Sequence, residues 1–307
     1  MLPITRSLLV SALLVASSHT CAGVIAASVT RYNDTFQTML RESMESAAER
    51  RGHELFVGDA EDNTDIQLEQ LAQYVSLDVD ALIVILVDSR PAYVQKVIDL
   101  AASKQIPLIL LNRKPALESL PERVVFVGSN DNDAGNLEME ELARLANYQG
   151  KVALLRGPDN HPAAIARTSM VRDVIAKYPD MSLVVEETAM WRRNVALSKT
   201  ANWLKEGADF TIVAANNDEM AIGAIMAIRE AGKNPADYLI GGVDATPDAL
   251  QAMSEGLLDV TVLQDARGQG QGAVSAAVNM MNGNMPESII MVPFKLVTPD
   301  NLDRYKN

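Results

Sequence analysis

Short apolar runs along this chain repeatedly end in a side chain that hydrogen-bonds or stacks: Asp34 and Phe36, Asn112 and Arg113, Arg167, Trp191, Asn217, Asp244 and Gln264. Carboxylate, amide and guanidinium groups bond in plane to hydroxyls, which both donate and accept, while an aromatic face packs on the apolar C–H face of a ring. In open α/β sheets ligands sit beyond the carboxyl ends of the strands. One such group per strand end is how a pocket for a small polyhydroxylated molecule is assembled. The pattern suits holding a molecule, not cutting it.

Each of these residues also has an ordinary structural role. Phe36 and Trp191 could fill a core, Asp34 and Asp244 could cap the helices that follow them, and Arg167 could face solvent. Aromatic residues are only 5% of the chain, yet these two fall just past strand ends, and the joint occurrence carries the inference.

The familiar catalytic constellations are absent from the sequence. Past residue 22 only His53 and His161 remain as imidazole bases, and no Gly-x-Ser-x-Gly elbow accompanies them. Two histidines and no cysteine leave little for zinc. Asp59, Glu61, Asn63 and Asp65 imitate the start of a calcium loop, but Thr64 stands where the sharp turn needs glycine and no glutamate follows at the required offset. A solvated turn is expected there. Neither catalysis, nor a metal, nor a cofactor is expected.

Residues 1–22 read as a secretory signal peptide: one positive charge at Arg6, a short apolar stretch over 8–16, and Thr20-Cys21-Ala22 as a small-residue cleavage site. The apolar run is too short to span a bilayer. Ser18-His19-Thr20 before the cysteine departs from a lipidation signal, which wants an aliphatic residue and then a small one. Cleavage near Ala22 removes the single cysteine, Cys21, and with it any disulfide or thiol chemistry. The expected location is the periplasm. The formal charge of −13 becomes −14 once Arg6 leaves. So acidic a surface argues against nucleic acid or anionic lipid as partner.

The roughly 285 remaining residues are too many for one ordinary core and suit two lobes. Strands are predicted over 24–29, 55–57, 81–87 and 108–111, alternating with helices over 36–51, 65–76 and 92–104. The pattern then restarts, with strands over 151–155, 183–188, 210–214, 239–243 and 260–263 and helices over 167–177, 195–205, 219–231 and 247–254. A helix over 274–282 and a strand over 289–294 fit either lobe. Such alternation implies parallel βαβ units with right-handed crossovers: an α/β fold of two doubly wound sheets with a ligand between them.

Gly268-Gln-Gly-Gln-Gly-Ala273 satisfies the loose dinucleotide pattern, but it lies late in the chain and no second strand with an acidic end follows to hold a ribose. The glycines are expected instead to let the chain pass close to the neighbouring lobe as it crosses.

The whole length past the leader resembles the type I periplasmic sugar-binding proteins, the group that binds galactose/glucose, ribose and inositol or rhizopine. The resemblance rests on Arg31-Tyr-Asn-Asp-Thr-Phe36, Leu111-Asn-Arg-Lys-Pro115, His161-Pro-Ala-Ala-Ile-Ala-Arg-Thr168, Thr188-Ala-Met-Trp191, Ala215-Asn-Asn-Asp-Glu-Met-Ala-Ile-Gly223, Gly242-Val-Asp-Ala-Thr-Pro247 and Thr261-Val-Leu-Gln-Asp265. It implies two lobes, 23–128 with 266–291 and 129–265 with 292–307, joined by crossings near Ser129, Leu263 and Val292. It implies that Phe36 and Trp191 sandwich a sugar ring while Asp34, Asn112, Arg113, Arg167, Asn217, Asp244 and Gln264 bond its hydroxyls, and it adds His161 as a pocket residue.

Three departures bear on the ligand. Ala163 stands where the galactose/glucose protein has an aspartate, which is expected to leave Arg167 less neutralised. Gln264 replaces an asparagine, as in ribose and inositol binders, and the calcium-loop segment is missing where Tyr148-Gln149-Gly150 runs into the next strand. The resemblance implies a monomeric, non-enzymatic receptor for a cyclitol or monosaccharide that delivers to an ABC transporter permease, or that also serves a chemoreceptor or sensor kinase. A ligand-responsive repressor shares this core. It would need a basic DNA-binding headpiece where the leader stands.

Overall fold

The computed structural model describes residues 23–306, so the expected leader lies outside the described residues. The chain opens with β1 (Val24–Val29), α1 (Thr35–Arg50), β2 (Glu54–Asp59), α2 (Thr64–Ser76), β3 (Ala81–Val84), α3 (Pro91–Ala102), β4 (Leu108–Leu111) and β5 (Val124–Gly128). It continues through α4 (Asp131–Leu145), β6 (Gln149–Arg156), α5 (Pro162–Lys177), β7 (Asp180–Thr188), α6 (Arg193–Lys205), β8 (Ile212–Ala215), α7 (Asp218–Glu230), β9 (Leu239–Gly241), α8 (Pro247–Ser254) and β10 (Thr261–Leu263). The last elements are α9 (Ala266–Met281), β11 (Ile289–Met291) and β12 (Lys295–Val297).

Two parallel sheets result. The first has order β11-β5-β4-β3-β1-β2 and the second β7-β6-β8-β9, with β10 and β12 paired antiparallel beside the second. Alternation along a strand sends its side chains to opposite faces. Ile25, Ala27 and Val29 of β1 therefore pack with α1 and α9, whereas Ala26 packs with α2 and α3. In the second lobe α4 and α5 cover one face, and α6, α7 and α8 cover the other. Strands buried on both sides explain the continuous apolar runs of the sequence.

Three segments cross between the sheets: Ser129-Asn130 before α4, Gln264-Asp265 before α9, and Val292-Pro293-Phe294 between β11 and β12. They are bonded to one another. Gln269 of α9 is completely buried; its Oε1 accepts from Asn112 Nδ2 (3.1 Å) and its Nε2 donates to Ser129 Oγ (2.9 Å), which donates to the Val292 carbonyl (2.6 Å).

The structure departs from the sequence reading at several points. β5 and α4 interrupt the expected stretch between the two halves, because β4 and β5 pair directly with no helix between them. The strand expected over 289–294 ends at Met291: β11 joins the first sheet, the third crossing follows, and β12 beyond it pairs with β10. β3 stops at Val84 because the buried Gln67 side chain bonds the backbone beyond it, donating to the Ile85 carbonyl and accepting from Val87 N–H. The glycine run lies inside α9, which starts at Ala266, capped by Asp265 accepting from Gly268 N–H (2.7 Å). Those glycines let α9 press on α1 within the same lobe: a Cβ on Gly270 would meet Ser43 Oγ at 2.6 Å.

One glycine places the second lobe's helices. Gly135, one turn into α4, faces the backbone of α5, and a Cβ there would lie 2.4 Å from the Arg167 carbonyl oxygen and 2.8 Å from its Cα. Backbone cannot yield as a flexible side chain would, so the two helices would have to part. Gly135→Ala is expected to lower unfolding stability by about 1–3 kcal/mol despite its better helix propensity. Urea denaturation checks this, and a stabilised variant would contradict the close packing.

Candidate functional site

All the residues singled out from the sequence, His161 included, line one cavity of about 350 Å³ between the two sheets, at their carboxyl ends. The first lobe contributes Asp34, Phe36, Asn112 and Arg113; the second contributes His161, Arg167, Trp191, Asn217 and Asp244; Gln264 comes from the second crossing.

Local folding fixes each one. Asp34 caps α1, with Oδ1 accepting from Gln37 N–H (3.0 Å) and Oδ2 from Arg31 (2.9 Å). Phe36, 8% exposed, serves two purposes at once, packing into the core under α1 while lining the cavity. Asn217 caps α7 through Met220 N–H. Asp244 is not the helix cap that its position suggested; Thr246 caps α8 instead. Asn112 (φ 64°), Trp191 (φ 63°) and Asp244 (φ 122°) all sit in the left-handed region, where a side chain costs energy that the surrounding structure must hold in place. Trp191 is held from behind by Gly157, where a Cβ would lie 2.3 Å from the indole, and at its edge by the His161 ring, 5.3 Å away and nearly perpendicular.

His161 caps α5 with Nδ1 accepting from Ala163 N–H (3.2 Å), so its ring proton resides on Nε2. Burial first, and then Arg113, Arg167 and Arg31, push its pKa well below the usual value, leaving a neutral donor. Arg113 donates to the carbonyls of Leu86 and Val87, and its buried Nε has no partner among the described residues. Burial pulls its pKa down to about 10, so it stays charged at neutral pH.

Arg167 lies in the middle of α5, not at its start, and is 3% exposed. It donates to Asp131 Oδ1 from Nε (3.1 Å) and from a terminal nitrogen (2.9 Å), to the Asn216 carbonyl (2.7 Å) and to Gln264 Oε1 (2.9 Å), and it lies 3.8 Å from Asp244. The expectation that Ala163 leaves Arg167 under-neutralised is therefore corrected, since Asp131 supplies a carboxylate from α4. Asp244 itself is raised well above the usual carboxyl range by burial, against the opposing charge of Arg167, and accepts no side-chain hydrogen bond among the described residues.

Sequence reasoning singled out neither Arg31 nor Asp131, both of which line the cavity. Arg31 lay inside a quoted motif and pairs with Asp34 and Asp62. Asp131 gave no signal, because the strand before it was not recognised. Among the described residues no cluster of acidic, histidine or cysteine side chains could hold a metal ion, and no helix is long and apolar enough to cross a membrane.

Residues 25–285 match the family model described as a periplasmic binding protein domain. A Rhizobium meliloti protein named for rhizopine binding is 40% identical, across 97% of this chain and 97% of its own. A solved ABC transporter solute-binding protein from Bacillus halodurans, with myo-inositol bound, is 37% identical and superposes with a TM-score of 0.86 over 93% of this chain and 97% of its own. Another, from Actinobacillus succinogenes with bound D-allose, is 26% identical with a TM-score of 0.87 over 92% and 100%.

Behind the cavity α4 buries Glu138 completely, with Oε1 accepting from Ala215 N–H (2.9 Å) and Oε2 without a partner among the described residues. Burial raises this carboxyl to about 8, against the Ala215 hydrogen bond and Arg167, which oppose the shift. The folded protein therefore keeps a proton here that the unfolded chain releases near pH 4.5. Stability attributable to this group falls as pH rises from about 4.5 to 8, by at most about 1.4 kcal/mol per pH unit, and levels off above. Glu138→Gln is expected to flatten that decline, measured as urea midpoints at pH 5, 6.5 and 8. An unchanged slope would mean that Glu138 is ionised in the folded state.

Proposed function

The chain belongs to the periplasmic binding protein domain family, and we propose that it is the solute-binding protein of an ABC importer, closing around a cyclitol of the myo-inositol type or a related monosaccharide. It is a receptor, not an enzyme. Its place of work is the periplasm, and its partners are the small molecule and the membrane permease with its ATPase. The observation that carries this reading is that a single cavity of about 350 Å³ takes its lining from both sheets. That volume lies within the roughly 300–1,000 Å³ usual for small-ligand sites.

The roles follow from chemistry already described. Trp191 and Phe36 offer aromatic faces to the apolar side of the ring. Asp34, Asn112 and Arg113 reach its hydroxyls from one lobe, and His161, Arg167, Asn217, Asp244 and Gln264 from the other side. The carboxyl of Asp244, which accepts no side-chain hydrogen bond among the described residues, is left to bond a ligand hydroxyl. We assign residues 23–128 and 266–291 to one moving body and 129–265 and 292–307 to the other, because the sheets share only the three crossings. Ligand contacts made from both bodies at once favour the closed arrangement, since they are complete only there.

The cyclitol assignment rests on the myo-inositol complex of the 37%-identical relative and on Ala163, which puts a methyl group on the cavity wall. Calorimetric titration of the purified protein with myo-inositol, galactose, glucose, ribose and allose tests it. Myo-inositol is expected to bind at micromolar strength or better, about −8 kcal/mol, and more tightly than galactose. No heat from any of the five overturns the receptor reading, while tight galactose binding with inositol ignored overturns only the choice of ligand. In the same assay Trp191→Ala is expected to cost roughly 2 kcal/mol or more of binding with folding retained. Undiminished binding would make Trp191 a structural residue only.

A further inference from the structure

The wall of the cavity formed by the first turn of α5 carries no polar side chain at Ala163, yet the neighbouring α4 brings a carboxylate to the same region from the first crossing. Asp131 lies three residues past the end of β5, and its side chain is 13% exposed. Both Arg167 donors that reach it, at 3.1 and 2.9 Å, bond the same oxygen, Oδ1. Among the described residues no protein donor reaches Oδ2, although the residue lines the cavity. A carboxylate out of bulk water with one oxygen saturated and the other free is incompletely bonded, and the free oxygen gains most from a donor brought by a ligand. Lys114 lines the same cavity from the first lobe.

The way Asp131 is held argues that its position is built. Gly135 allows α4 to approach the Arg167 backbone closely, which sets the α4 start beside the guanidinium. The paired bonds from Arg167 then hold Oδ1 in place, because both come from one rigid fork. Neither bond claims Oδ2, which is left to another donor.

We propose that Asp131 is a specificity-determining residue, its Oδ2 accepting a hydrogen bond from a ligand hydroxyl while its Oδ1 holds Arg167. This rests on the receptor reading above. Of the ligand contacts assigned to this cavity, it is the one made from the first turn of α4. It sets a requirement for a hydroxyl proton at one corner of the ring, so it selects among stereoisomers of the same polyol.

The test is a set of titrations of wild type, Asp131→Asn and Asp131→Ala with myo-inositol and its monodeoxy analogues, and with galactose and its deoxy analogues. Melting curves of the ligand-free proteins accompany them. Asp131→Asn is expected to remain folded but to melt below wild type, since Arg167 keeps its acceptor and loses a counter-charge, and to bind the parent polyol roughly tenfold to a hundredfold more weakly. One deoxy analogue, the one lacking the hydroxyl that Asp131 holds, is expected to bind wild type and Asp131→Asn about equally. Should Asp131→Ala fail to fold, Asp131→Asn carries the test, being isosteric and still able to accept from Arg167 through Oδ1. Wild-type affinity in Asp131→Asn overturns the inference. So does a loss shared evenly by every analogue, since Asp131 would then only position Arg167. Absence of binding to wild type overturns the receptor reading, and this inference with it.

Discussion

A guanidinium taken out of water must find its whole set of partners nearby, and Arg167 finds them where the three segments that join the lobes meet. Asp131 opens α4 directly after the first crossing, Gln264 comes from the second, and the Phe294 ring of the third lies 5.5 Å from the guanidinium carbon. The Asn216 carbonyl and the nearby Asp244 complete the shell from the strand ends of the second sheet. Removing one partner would leave a buried charge uncompensated, which is far more costly than the net worth of the pair. The meeting of the three crossings, the start of α4 and the floor of the cavity are therefore one electrostatic problem with one solution. Trp191, whose ring centre is 5.8 Å from the same carbon, takes its place in that arrangement.

The site carries other local costs that the sheets hold in place. Five lining residues, Asp62, Asn112, Met190, Trp191 and Asp244, adopt left-handed backbone, and the acids Asp218, Asp244 and Glu138 are buried close together. Asp218 is lifted to about 7 by burial although it accepts from Thr246 N–H and the Thr261 hydroxyl, both at 2.7 Å. Such features persist only where the surrounding packing over-determines them. The strand β8, buried throughout, the buried second half of β6 and the tight α4–α5 contact at Gly135 provide that constraint.

How far this was legible in the sequence depended on where periodicity applies. Continuous apolar strands alternating with amphipathic helices announced both sheets, and the polar residue closing each strand announced the cavity. The alternation rule failed at 124–145, because the chain goes from β4 to β5 through a loop containing Pro115 and Pro121 instead of a helix. Asp131 was lost with that stretch. The glycine run around 270 misled for the opposite reason: small residues served helix-to-helix contact, which local sequence cannot distinguish from a turn. Arg167 was legible as a residue of the site, but its partners, far apart in sequence, were not.

The amide and hydroxyl relay through Gln269 has a directional consequence. A carbonyl can only accept, so the Val292 oxygen obliges the Ser129 hydroxyl to point its hydrogen toward the third crossing. Ser129 Oγ must then receive from Gln269 Nε2, which turns Gln269 Oε1 toward Asn112 and fixes Asn112 Nδ2 as its donor. Asn112 Oδ1 is what remains unclaimed at the cavity among the described residues. The proton order of the binding surface at this corner is thus written by a backbone oxygen at the hinge, and a rotation there that released the Val292 carbonyl would free Asn112 to present either end of its amide.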